Sequence, residues 1–205
     1  LCTSATTNLG VQPLLDAILA YVPSPMQRTL PVVDTTSGEP AALDAGDSTT
    51  TALVWKTVAD PFAGRITMFR VATGSLRSDS TIQNVSTDTS ERVGSVALMQ
   101  GKTQHGVTEI AAGDLGAVAK LKDTGTGDTL AAKDTAWRFA PFEFTEPVLS
   151  YAIEPKSRAD EEKISTALQR LQEEDPTIRY VRDPQTGQLL LSGQGQLHIE
   201  VTVAK

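Results

Sequence analysis

The stretch TALVWKTVADPFAGRITMFRVATG, residues 51–74, decides the fold. Its first run, TALVWKTVAD (51–60), is rich in β-branched and aromatic residues and stops at Asp60-Pro61. A proline there cannot donate to a ladder, so a strand ends. The second run, GRITMFRVATG (64–74), alternates Ile66, Met68 or Phe69, and Val71 with polar residues and turns at Gly74. A period of two predicts a half-buried strand. STIQNV (80–85), RVGSVALM (92–99), DLGAVAKL (114–121) and DTLAA (128–132) follow, separated by Gly and Asp. Strand-length runs with turn residues between them, and no helical stretch among them, predict an antiparallel β-barrel over 52–142.

Outward from the barrel the pattern changes on both sides. Val11, Leu14, Leu15, Ile18, Leu19 and Val22 recur at helical spacing. They predict an amphipathic helix over 10–22, capped by Asn8 and stopped by Pro23 and Pro25. Residues 31–51 are rich in Pro, Thr, Ser, Gly and Asp without a period and are expected to form a linker. Over 146–205 the order of elements is β-α-β-β, the first part of a split βαβ unit. PVLSYAIEP supplies the first strand, and Ser157 with Asp160 reads as a capping box. A helix carrying Ile164, Leu168 and Leu171 ends at Asp175-Pro176, and a strand pair turns between Asp183 and Gly187. At the end of the chain Leu197, Ile199, Val201 and Val203 alternate, which alone predicts a strand. With its unit unclosed, this end is expected to fray.

Composition narrows the function classes. Hydrophobic residues are 40% and charged residues 21% of the 205, an ordinary globular balance. One cysteine, Cys2, allows no intrachain disulfide, and with two histidines it is too little for a structural zinc site. No apolar run approaches a membrane span, and the N-terminus has neither a basic signal start nor a Met. The expectation is an internal piece of a larger cytoplasmic protein, monomeric and without membrane contact. The net charge of −7 argues against a free-standing RNA-binding module, though not against local contacts by a few Arg or Lys.

The sequence carries few motifs of chemical function. There is no G-x-x-x-x-G-K-[ST] loop. GQGQLH (193–198) lacks the third glycine of a dinucleotide fingerprint, and GTGDT (125–129) reads as a tight hairpin turn. His105 reads as a surface residue, His198 as a packed or hydrogen-bonded one, and Cys2 as a core residue. EEDP (173–176) and Asp160, Glu161 and Glu162 read as solvated charge at helix ends. No catalytic residue, metal site or cofactor is expected within the chain. A binding or positioning role follows by default.

Longer strings carry a resemblance. CTSATTNLGVQPLLDAILAYVPSP (2–25) resembles the end of the G domain of elongation factor G. DPFAGRITMFRVATGSL (60–76) and AGDLGAVAKLKDTGTGDTL (112–130) resemble its second domain. EPVLSYAIEPKSRADEEKISTALQRLQEEDPTIRY (146–180) and GQLLLSGQGQLHIEV (187–201) resemble its third. The resemblance implies a G-domain tail over 1–30, a linker over 31–51, a translation-factor barrel over 52–142 and an incomplete ferredoxin-like domain over 146–205. It makes 194–205 the second helix of that domain, against the period-two reading. It implies a ribosome-docking and relay segment of a GTPase that moves tRNA and mRNA. GTP and Mg would be held by the parent protein, and ribosomal RNA and small-subunit protein would be the partners. Ser4 and Ala5 match the guanine-contact motif, and Arg65, Arg77 and Lys102 are the candidates for RNA phosphates. Ser78-Asp79-Ser80, Thr103 and Gln104, Gln194 and Gln196 depart from the commoner residues of the family. These departures suit a divergent paralogue. Recycling, ribosome protection and a non-ribosomal binding module on the same scaffold are therefore alternatives.

Overall fold

The computed structural model describes residues 1–60, 64–101, 103–155, 157 and 160–205, without the side chains of 161 and 162. Helix α1 (Val11–Tyr21) follows a left-handed Gly10, which occupies the cap position expected of Asn8. Its apolar stripe is exposed, as expected of a helix whose face needs another partner. After a 3-10 turn at Pro25–Gln27 come strands β1 (Thr29–Asp34) and β2 (Pro40–Asp44).

The expected linker is therefore a hairpin. Thr29 pairs with Asp44 and Val33 with Pro40. The Asp34 carboxylate accepts the N–H groups of Thr36 and Ser37, both at 2.8 Å, and Gly38 takes φ 75° to close the turn. Pro40 lies on an edge strand, where its missing N–H leaves no ladder bond unmade. Turn-rich composition hid a short edge hairpin.

The barrel comprises β3 (Thr51–Asp60), β4 (Gly64–Thr73), β5 (Ser75–Arg77), β6 (Ser80–Asn84), β7 (Thr89–Val93), β8 (Val96–Gln100), β9 (Thr103–Val107), β10 (Glu109–Ala111), β11 (Leu115–Ala119) and β12 (Thr129–Ala131). Eight of these form one curled antiparallel sheet in the order β7-β6-β12-β3-β4-β11-β8-β9, and β5 pairs with β10. The curl is tied shut near Ser78 rather than by a continuous ladder. The Ser78 N–H donates to Thr108 O and the Asp79 N–H to Gly94 O, both at 2.9 Å. The Ser78 hydroxyl joins Val107 O and the Val96 N–H. Phe69 is wholly buried and Met68 faces outward, which resolves the alternation left open in the sequence. Ala52, Val54, Val71, Val93, Val96 and Leu130 share the core with Phe69. Burying that ring contributes roughly 2–3 kcal/mol. The GTGDT segment is not a tight hairpin, because β11 and β12 lie apart in the sheet and 120–128 crosses between them.

A short β13 (Trp137–Arg138) adds to the β1–β2 hairpin. The last unit holds β14 (Leu149–Ile153), α2 (Glu161–Glu174), β15 (Arg179–Arg182), β16 (Leu189–Gly193) and α3 (Gln196–Ala204). The sheet order is β14-β16-β15. Leu168, Ile178, Leu191 and Ile199 form a second core. The end of the chain is a helix, not a strand. Ile199 and Thr202 face the core three residues apart, while Leu197, Val201 and Val203 are exposed and create the misleading alternation. This helix runs to Ala204, against the expected fraying. The Ser157 capping box does not form. Its hydroxyl donates to the Asp160 carboxylate at 2.6 Å, and Asp160 takes the cap position without a side-chain cap bond.

Candidate functional site

The two folded units meet where α2 ends against the closed end of β3 and β4. Arg65 opens β4 and projects toward α2. Its Nη2 lies 2.7 Å from Glu173 Oε2 and its Nε donates to the same oxygen at 3.2 Å. Its Nη1 donates to Lys122 O at 2.8 Å and to Thr124 O at 3.4 Å. The next residue on α2, Glu174, accepts the Ala59 N–H at 2.7 Å and lies 3.5 Å from Lys205 Nζ. One helix end thus grips a barrel strand, a barrel arginine and the tail of α3. A cleft of about 530 Å3 opens beside this seam, lined by Ala59, Gly64, Arg65, Thr166, Gln169 and Glu173 among others.

The loop that Arg65 grips is itself fixed. Glu91, nearly buried on β7, accepts the N–H groups of Lys122 at 3.1 Å and Asp123 at 2.7 Å and the Thr124 hydroxyl at 2.8 Å. A buried carboxylate persists only when its lone pairs are filled in this way. Asn84 binds Asp128 and Thr124 across the same loop. The barrel interior, the loop and α2 are therefore joined by directional bonds.

A second clasp holds α3. The Gln194 N–H donates to His198 Nδ1 at 3.1 Å, so the proton sits on Nε2, which meets Asp175 Oδ2 at 2.9 Å. Burial raises the Asp175 pKa, but the Thr177 hydroxyl and N–H and then His198 outweigh it and hold the carboxyl below its ordinary value. The Gln194 side chain donates to Thr145 O at 2.8 Å and Glu146 O at 3.1 Å, pinning the connecting segment to the helix start.

The site residues expected from sequence fare differently. Arg65 has its guanidinium occupied within the chain, which leaves it no fork for an RNA phosphate. Arg77 is exposed and paired with Glu109 at 3.0 Å. Lys102 lies outside the described residues. Ser4 and Leu9 exchange backbone bonds of 2.9 and 3.1 Å, closing a turn with Ala5 on its exposed side. His105 is exposed and bonded to Gln100, and Cys2 is exposed rather than in a core. Among the described residues no cluster of His, Cys, Asp or Glu could hold a metal, and no helix is long and apolar enough to cross a membrane.

Sequence reasoning does not place Glu173, Glu174 and Asp175 in a site, because the EEDP run reads as solvated charge. A signal was present. Three acids at a helix C-terminus oppose the macrodipole, so each needs a donor that overrides it.

Known proteins share this architecture. Residues 49–133 match the model for elongation factor G domain 2, and residues 144–205 match that for elongation factor G, domain III. The crystal structure of a protein from Thermus thermophilus superposes with a TM-score of 0.75 at 31% identity. The match covers 94% of this chain and 27% of that one, so the chain spans about a quarter of its relative.

Proposed function

For a chain that belongs to the elongation factor G family and carries its second and third domains, we propose that it is the docking and relay segment of a translational GTPase acting in elongation. The seam through Arg65, Glu173 and Glu174 carries this reading. A relay must transmit force between domains yet repack at modest cost, and a few charged hydrogen bonds do both. GTP and Mg belong, on this reading, to a G domain elsewhere in the parent. An exposed turn such as that at Ala5 suits a backbone contact to guanine, but the described residues include no loop that cradles phosphates. Arg77 and Lys102, rather than Arg65, are the proposed contacts to ribosomal RNA of the small subunit.

The test uses the full-length parent with purified ribosomes. Ribosome-stimulated GTP hydrolysis is expected, and Arg65→Ala should leave hydrolysis largely intact while slowing tRNA movement. Absence of stimulated hydrolysis removes the reading. The exposed β8–β9 hairpin, with Thr103 and Gln104 in place of a commoner basic pair, favours a recycling or protection paralogue as the second reading. Such a parent would bind ribosomes and fail to support peptide elongation.

A further inference from the structure

The 3-10 turn at Pro25–Gln27 folds closely onto the barrel. Gly113 allows this: it sits at φ +93°, and a β-carbon there would stand 2.8 Å from Pro25 Cβ. Beneath the turn lies a cavity of about 210 Å3, away from the interdomain seam. Leu30, Leu53, Ala72 and Phe139 line it, with Arg28 and Arg70 as its charged residues. Arg70 stands between Leu53 and the exposed Leu115 in one cross-strand row.

Both arginines are exposed, and among the described residues neither side chain makes an ion pair or a hydrogen bond. Arg65, Arg77 and Arg179 all have carboxylate partners in the same chain. Among the described residues Arg92, Arg138 and Arg170 also make no ion pair or side-chain hydrogen bond, so what sets Arg28 and Arg70 apart is that both line one apolar cavity. Their charge and the apolar lining call for a ligand that offers carboxylates around a hydrophobic group.

We propose that this cavity docks an acidic peptide segment of a partner protein. One large apolar side chain enters the cavity, and flanking carboxylates pair with Arg28 and Arg70. The volume is below that of a drug-sized site and suits a single side chain. A nucleobase fits the lining poorly. Its polar edge would be buried against Leu30, Leu53 and Ala72, and unpaired polar groups are costly there.

The test is fluorescence anisotropy of a labelled Asp-Glu-Phe-Glu-Asp peptide with the full chain at low salt. Saturable binding with Kd on the order of 10–100 µM is expected. Arg28→Glu and Arg70→Glu should each weaken it about tenfold or more with unchanged thermal melting, and the milder Arg70→Gln should weaken it in the same direction. Replacing the peptide's Phe by Ala should also cost about tenfold. The proposal is overturned by absence of saturable binding or by undiminished binding in the arginine variants. Equal binding of the Ala peptide, or decauridylate binding that falls in the Arg28 and Arg70 variants as much as peptide binding does, overturns it as well.

Discussion

Arg65→Met removes the guanidinium from the interdomain seam while keeping an apolar stem of similar length. The side chains of Arg65 and Glu173 are 25% and 32% exposed, and their closest atoms are 2.7 Å apart. Fully exposed pairs are worth about 0.2–1 kcal/mol, and hydrogen bonds to charged groups in drier sites about 1.5–3 kcal/mol. This pair lies between, at about 1–1.5 kcal/mol. The bond to Lys122 O at 2.8 Å adds roughly 1 kcal/mol, and that to Thr124 O at 3.4 Å adds little. Arg65→Met should therefore cost about 2–2.5 kcal/mol, and Glu173→Gln somewhat less. A double-mutant cycle isolates the pair. Because two units can unfold separately, native-state hydrogen exchange on α2 is the better readout, with urea melts of the whole chain beside it. A coupling below about 0.3 kcal/mol, or α2 protection that does not fall in Arg65→Met, would refute the seam as an energetic link.

Gly74→Ala should destabilise the barrel by more than about 2 kcal/mol in urea melts, because φ is +64° and the new Cβ would lie 2.7 Å from Ser48 O and 2.8 Å from Thr50 N. Phe69→Ala should cost about 3–5 kcal/mol by the same measurement, since the ring is wholly enclosed and its loss leaves a cavity. Asp175 has a depressed folded pKa, so its stabilisation is present above the unfolded carboxylate value and is lost as pH falls through the folded value. Melts from about pH 7 to pH 2 should show domain III losing stability below about pH 4, and Asp175→Asn should flatten that part of the curve.

What the sequence revealed depended on how local the cause was. The β3–β4 pair was legible because Phe69 and Val71 alternate with outward residues, and α2 because Ile164, Leu168 and Leu171 share one face. The β1–β2 hairpin was not, since its signal is a single Asp34 turn inside a polar stretch. At α3 the period-two pattern came from exposed residues, and only the burial of Ile199 and Thr202 shows the helical face. The resemblance to a known family corrected that element where periodicity failed. The seam was invisible for another reason. Arg65 and Glu173 are 108 residues apart, and each alone looks like surface charge.

The chemistry of that seam has a mechanical consequence. The two cores share no residue: Phe69 and its neighbours form one, and Leu168, Ile178, Leu191 and Ile199 the other. Among the described residues the bonds that cross the seam are charge-assisted, and parting them exposes neither core. An apolar interface of similar extent would yield gradually and without register, whereas directional bonds from Glu173 and Glu174 define one docked arrangement. Glu174 also faces Lys205 at the end of α3, and the adjacent Asp175 holds His198 near its start. Both ends of α3 therefore bear on the last turn of α2, and displacing that helix pulls directly on the barrel contacts. A partner that binds the open form a few kcal/mol more tightly than the closed one is sufficient to shift the balance between them.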